Sequence, residues 1–133
     1  MDYLIGAGFG LLCLLPFIKS STRTLAMNGY MALAIMISIY LGAWLVTGTF
    51  EKIVFESVIA MIALALATFF RNRWPLGVAI MVLLHGAYDH FLGHQAGVAD
   101  WYPPVCAGFD VIVGSGLILL MLRNEKQNQL EQK

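Results

Sequence analysis

Five apolar stretches, at about 3–18, 26–46, 53–70, 75–95 and 104–122, are divided only by the short segments KSSTRT, VTGTFEK, RNRW and GVADWYPP. Each stretch is close to the roughly 20 residues that carry an α-helix across a hydrocarbon core about 30 Å thick. The dividers are polar, or carry Pro, Gly and Trp in the manner of interfacial turns, and none is long enough to fold separately. With 59% of 133 residues apolar and only 12% charged, the chain lies far from a soluble globular composition. The pattern predicts an all-α integral membrane bundle of five transmembrane helices. Residues 1–122 form one domain and 123–133 a short polar tail. Pro75, and Pro103 or Pro104, stand where a helix begins and its first amides need no partner.

Basic residues orient such a bundle, because lysine and arginine stay on the cytoplasmic side. With the N-terminus outside and the C-terminus cytoplasmic, Lys19, Arg23, Arg71, Arg73, Arg123, Lys126 and Lys133 fall inside and only Lys52 outside. Asp2, Glu51 and Asp100 are then external, and Trp101 and Tyr102 suit the outer aromatic belt. A multi-pass protein of the cell membrane is expected, the inner membrane if the source is bacterial. Asp2 stands where a signal peptide would be positive, and no small-residue cleavage site follows, so the first span is expected to remain. Eight basic residues balance eight acidic ones, which leaves no basic face for nucleic acid. Cys13 and Cys106 lack CxxC spacing and read as small buried hydrophobes, with no disulfide expected.

Small residues indicate where helices meet. Gly6 and Gly10 form GxxxG, and Ala63 and Ala67 share that spacing, the pattern that lets helix backbones approach closely in lipid. IGAGFG is not a nucleotide loop, since no strand precedes it.

Against this background the stretch LLHGAYDHFLGHQ, residues 83–95, is anomalous: three histidines and an aspartate follow an apolar run without a break. A rise of 1.5 Å per residue gives each ionisable group a depth. Counted from Pro75, His85 lies at roughly 15 Å, near the bilayer middle, and Asp89 and His90 at roughly 21 to 23 Å. Asp110 falls about 10 Å, and Glu56 about 5 Å, below the outer face. Three acids from three helices thus share the outer half of the membrane. Each carboxylate at a helix centre opposes insertion by roughly 2.5–3.5 kcal/mol, while an interhelical hydrogen bond returns only about 0.6–2 kcal/mol. No lysine or arginine lies within the spans to neutralise them. Ionisable groups retained at that cost point to function, and a protonated carboxyl beside a histidine is a proton donor.

Helical angle divides the stretch. His85 and Asp89 lie about 40° apart on one face, with His90 and His94 on roughly the opposite one. His90 is free to meet another helix or a second copy of the chain, and His94 marks the interface. The expected catalytic set is His85, Asp89, Asp110 and Glu56, with Asp89 and Asp110 as general acid and base, His85 relaying the proton, and Glu56 holding substrate or serving as a second acid. Tyr88, Trp101 and Tyr102 are the candidate substrate-binding aromatics. No cofactor is expected; the alternative is a divalent metal on His85, Asp89, His90 and Asp110. Haem and a nucleophilic triad fit poorly, because every histidine lies on or near one helix and no serine sits in GxSxG.

These features predict a small intramembrane enzyme performing isomerisation, cyclisation or hydrolysis on a lipophilic small molecule. The alternatives are a proton- or metal-coupled transporter or channel subunit, which would form an oligomer, and a non-catalytic accessory subunit of a larger membrane complex.

Overall fold

Each helix begins and ends where local chemistry dictates. The computed structural model describes residues 1–95 and 97–131, and all its regular elements are helical. Helix α1, Asp2–Leu14, carries Asp2 in its first turn, where a negative charge complements the helix dipole. Pro16 then tightens the chain into a 3₁₀ turn, Leu15–Phe17. Helix α2 spans Thr22–Thr47, four residues earlier than hydropathy predicts, because the Ser21 hydroxyl accepts a hydrogen bond from the Thr24 amide at 3.3 Å and caps the start. Helix α3, Phe50–Arg73, ends with Arg71 and Arg73 in its last turn.

Helix α4, Leu76–Phe91, starts after Pro75, and a separate 3₁₀ turn, Gly93–Gln95, follows it. The predicted fourth span, 75–95, is therefore not one continuous α-helix. In the turn beyond, Gly97 adopts φ +69°, a left-handed conformation that residues with a side chain rarely take. Helix α5 runs unbroken over Tyr102–Glu131, so the polar segment from Arg123 continues that helix as an exposed extension. The last two residues of the expected tail, Lys133 among them, lie outside the described residues.

Helices α2, α3 and α5 are long and apolar enough to cross a membrane; α1 with its 3₁₀ turn, and α4, are apolar but shorter. Apolar side chains cover the outside as well as the core. Leu12, Val46, Phe50, Phe55, Met61 and Leu119 are all more than 60% exposed, a surface suited to lipid.

Helix α5 is central and packs on α1, α2 and α4, while α3 rests on α2 and α4 at the edge. The α1–α5 contact is backbone to backbone. A side chain at Gly6 would overlap the Val105 carbonyl, and one at Gly108 would overlap the Tyr3 carbonyl. Gly6 and Gly10 thus act as the spacing predicts, with Gly108 as an unpredicted counterpart. In α3 the stripe differs: Ala60 and Ala67 are buried, whereas Ala63 lines a cavity. Leu25, Leu33, Val82, Val113, Leu117 and Met121 form the core between α2, α4 and α5.

Basic residues gather at one end of the bundle. The Arg123 guanidinium donates to the Ile18 carbonyl, Asn124 donates to the Ser20 carbonyl at 2.9 Å, and Arg71 lies over the Tyr30 ring. At the opposite end Lys52 lies over the Trp44 ring.

Candidate functional site

The buried polar side chains meet where α4 crosses α5. His85 and Asp89 are one turn apart on α4, and Cys106 and Asp110 are one turn apart on α5. Four-residue spacing places each pair on a single helix face, and the antiparallel packing turns the two faces together. Asp89 and Asp110 have no exposed surface, and His85 is 9% exposed. The ring nitrogen Nδ1 of His85 is 2.9 Å from Asp110 Oδ2 and 3.4 Å from Asp89 Oδ2. One N–H thus faces two carboxyl groups, and Asp110 at the shorter distance accepts it. Both oxygens of Asp89, and Oδ1 of Asp110, are buried with no hydrogen-bond partner. Gly86 permits the approach: a Cβ at this position would lie 2.8 Å from the Asp110 Cβ.

His85 also forms a wall. On its other side a cavity of about 160 Å³ opens between α2, α3 and α4, lined mostly by Leu33, Ile37, Leu41, Ile59, Met81 and Leu84. Its polar members are Tyr40, Glu56, His85 and Tyr88. The Tyr88 hydroxyl donates to Glu56 Oε1 at 3.0 Å, so Glu56 is held at the cavity edge, apart from the two aspartates. A wider groove of about 460 Å³ shares Glu56, Ile59 and Tyr88 with the cavity and runs to Glu51, Lys52 and Gln95 at the end of the bundle. With Nδ1 committed to the carboxyl groups, Nε2 is the ring nitrogen left for the cavity. Tyr40 packs its edge on His85, with ring centroids 5.8 Å apart, and makes similar contacts with Tyr88 and Tyr102.

No known protein family, curated protein or solved structure matches the chain. Function must then be argued from the geometry of the site alone.

That geometry rearranges the candidates from the sequence. His85, Asp89 and Asp110 form one cluster; Glu56 joins His85 only across the cavity. Of the three candidate aromatics, Tyr88 lines the cavity, Tyr102 sits beside Cys106 and Tyr40, and Trp101 is 59% exposed and lines neither space. His90, named in the alternative metal set, is not brought to the cluster. It lies five residues past His85, more than a full turn, so it faces α1, where its Nδ1 meets the Tyr3 hydroxyl at 2.9 Å. His94 is exposed beyond the end of α4.

Cys106, rather than His90, joins the cluster. Its sulfur, His85 and the two aspartates offer atoms that all lie within 4.8 Å of one another. A signal for it was present, because Cys106 precedes Asp110 by the same four residues that separate His85 from Asp89. The other cysteine departs from expectation in the opposite way: Cys13 is exposed on α1, and both thiols are free.

Proposed function

We propose that this protein is an intramembrane enzyme that moves a proton on a lipophilic small molecule. His85 Nε2 donates into the cavity, Glu56 accepts, and the two aspartates stay behind the imidazole, where Asp110 fixes its orientation. The observation that carries this reading is the cavity itself. In a largely apolar wall it holds, besides Tyr40, one histidine backed by a carboxyl group and one carboxyl group held by a tyrosine. A pocket of that composition, with a few convergent polar groups, suits an apolar ligand. A histidine whose rear nitrogen is fixed by a carboxyl group is oriented for proton transfer.

Size refines the substrate. A cavity near 150 Å³ holds roughly a benzene-sized group. About 160 Å³ therefore admits the reacting end of a larger molecule, with the remainder in the adjoining groove or the bilayer. Isomerisation by proton removal and return is the reaction class that two such groups serve without a further reactant. The setting is a five-span topology with the N-terminus outside and the basic end of the bundle in the cytoplasm, so that the groove opens on the outer side.

Proton transfer at carbon leaves an isotopic record. Purified protein in micelles, incubated in D₂O with a total lipid extract, should place deuterium on a carbon-bound position of one extract component, as read by mass spectrometry. Glu56→Gln and His85→Gln should each abolish the label. Wild-type protein that labels nothing beyond these variants would exclude the reading. Labelling of single cysteines with an impermeant maleimide on intact cells tests the topology, with residue 52 expected to react and residue 126 to be protected.

A further inference from the structure

Behind His85, on the side away from the cavity, the chain assembles the donor set of a metal centre. One imidazole nitrogen, one thiol sulfur and two carboxyl groups come from four buried residues on two helices, within 4.8 Å of one another. Asp89 is completely buried, yet neither of its oxygens has a partner, and Asp110 Oδ1 is likewise unpartnered. Buried carboxyl oxygens ordinarily find donors or coordinate a cation, because desolvation without compensation is costly. Two carboxyl groups with three unpartnered oxygens between them, beside a thiol and an imidazole, mark a place suited to positive charge.

We propose that His85, Asp89, Cys106 and Asp110 bind a divalent transition-metal ion, zinc first, in a closed four-ligand site that clamps α4 to α5. The sulfur selects the metal class. Magnesium and calcium take oxygen ligands almost exclusively, whereas a mixed N, S and O set of four is the tetrahedral inventory of zinc and its neighbours.

The distances suit this ion after small adjustment. Bonds of about 2.0–2.3 Å in a tetrahedron place ligand atoms roughly 3.3–3.7 Å apart. The 3.4 Å between His85 Nδ1 and Asp89 Oδ2 already lies in that range, and the 2.9 Å to Asp110 Oδ2 must open slightly. The longest separation must close by about 1 Å, a shift that side-chain torsions supply. On binding, the His85 Nδ1 proton, the Cys106 thiol proton and any carboxyl protons leave to solvent, and His85 ligates through Nδ1 with its remaining hydrogen on Nε2. The ion therefore lies on the opposite side of the ring from the cavity, and with four protein ligands it has no open position. Its role is to lock the imidazole and the helix pair. The site does not depend on the proposed chemistry, and the two are alternative states of His85: the metal takes the Nδ1 position that Asp110 holds in the metal-free protein and leaves a neutral imidazole in place of the proton donor.

The test uses the full chain, purified in detergent and exposed to Zn²⁺ or Co²⁺ alone. Elemental analysis after gel filtration should find about one zinc per chain, as four ligands for a single ion require. Cys106→Ser and Asp89→Asn should each lower that stoichiometry severalfold, while His90→Ala and Glu56→Gln leave it unchanged. The cobalt form should show the intense visible bands of tetrahedral Co²⁺ and a near-ultraviolet sulfur charge-transfer band that Cys106→Ser removes. Should a ligand variant fail to elute as a monodisperse species, the wild-type cobalt spectrum decides alone. Wild-type protein that retains no zinc and gives only octahedral cobalt would overturn the proposal, as would full zinc retention by Cys106→Ser. Neither result bears on deuterium transfer, which Glu56→Gln tests separately.

Discussion

The same change, Asp to Asn, should shift stability in opposite directions at two neighbouring buried positions of the metal-free protein. At Asp110 the change weakens an existing interhelical bond, Oδ2 to His85 Nδ1 at 2.9 Å. Such bonds in membrane bundles average about 0.6 kcal/mol and reach about 1.7 kcal/mol, so Asp110→Asn should destabilise by roughly that much. At Asp89 no hydrogen bond is lost, since both oxygens are buried without one, and only the longer 3.4 Å contact with His85 Nδ1 is weakened. An unsatisfied buried group costs about 1–3 kcal/mol. A carboxamide at position 89 removes one of two neighbouring buried acids and brings N–H donors into the cluster, so Asp89→Asn should stabilise by about 1–2 kcal/mol. The measurement is reversible unfolding of chelator-treated protein in mixed micelles as SDS is raised, followed by tryptophan fluorescence. Adding zinc should reverse the sign at Asp89, because the residue then becomes a ligand. If Asp89→Asn instead destabilises the metal-free protein by more than about 1 kcal/mol, Asp89 makes a structural bond and the case for an unsatisfied, functional acid fails.

Other outcomes follow from the same geometry. Gly108→Val places a side chain against the Tyr3 backbone, and should cost at least the roughly 1–3 kcal/mol of an overpacked contact in the same unfolding assay. Ala63→Phe fills the cavity beside His85 and Glu56, so binding of a fluorescent apolar probe should fall severalfold without loss of monodispersity. His90→Ala removes an exposed bond to Tyr3, and should change stability by no more than about 1.5 kcal/mol and leave deuterium transfer unaltered.

Much of the fold was legible because hydropathy and proline position act locally. The apolar runs mark the helices; Ser21 and the Gly93 turn account for two of the boundaries that moved, and the largest shift, from 122 to Glu131, is the polar segment continuing the last helix. Helical period also separates His85 and Asp89 from His90 without reference to any other helix. What one sequence could not supply is the rotation of α5 about its axis relative to α4. That rotation decides that Cys106 accompanies Asp110 into the cluster and that Trp101 stays outside. Depth along the membrane was a poor guide for the same reason. Glu56 lines the same cavity as His85, because α3 packs at the edge and presents it there rather than to the aspartates. The separation of the two buried aspartates from Glu56 in the cavity wall follows from three-dimensional packing alone.

Gly86 links heredity to this chemistry. Its missing side chain is what lets the Asp110 Cβ approach the α4 backbone, since a methyl group there would sit 2.8 Å away. A lineage that acquires a side chain at position 86 must separate the two helices, and with them His85 and Asp110, or else shrink residue 110. Among descendants of this fold, residues 86 and 110 should therefore change together: glycine at 86 wherever residue 110 carries a Cβ, and a larger residue only where 110 is itself glycine or the helices have moved apart.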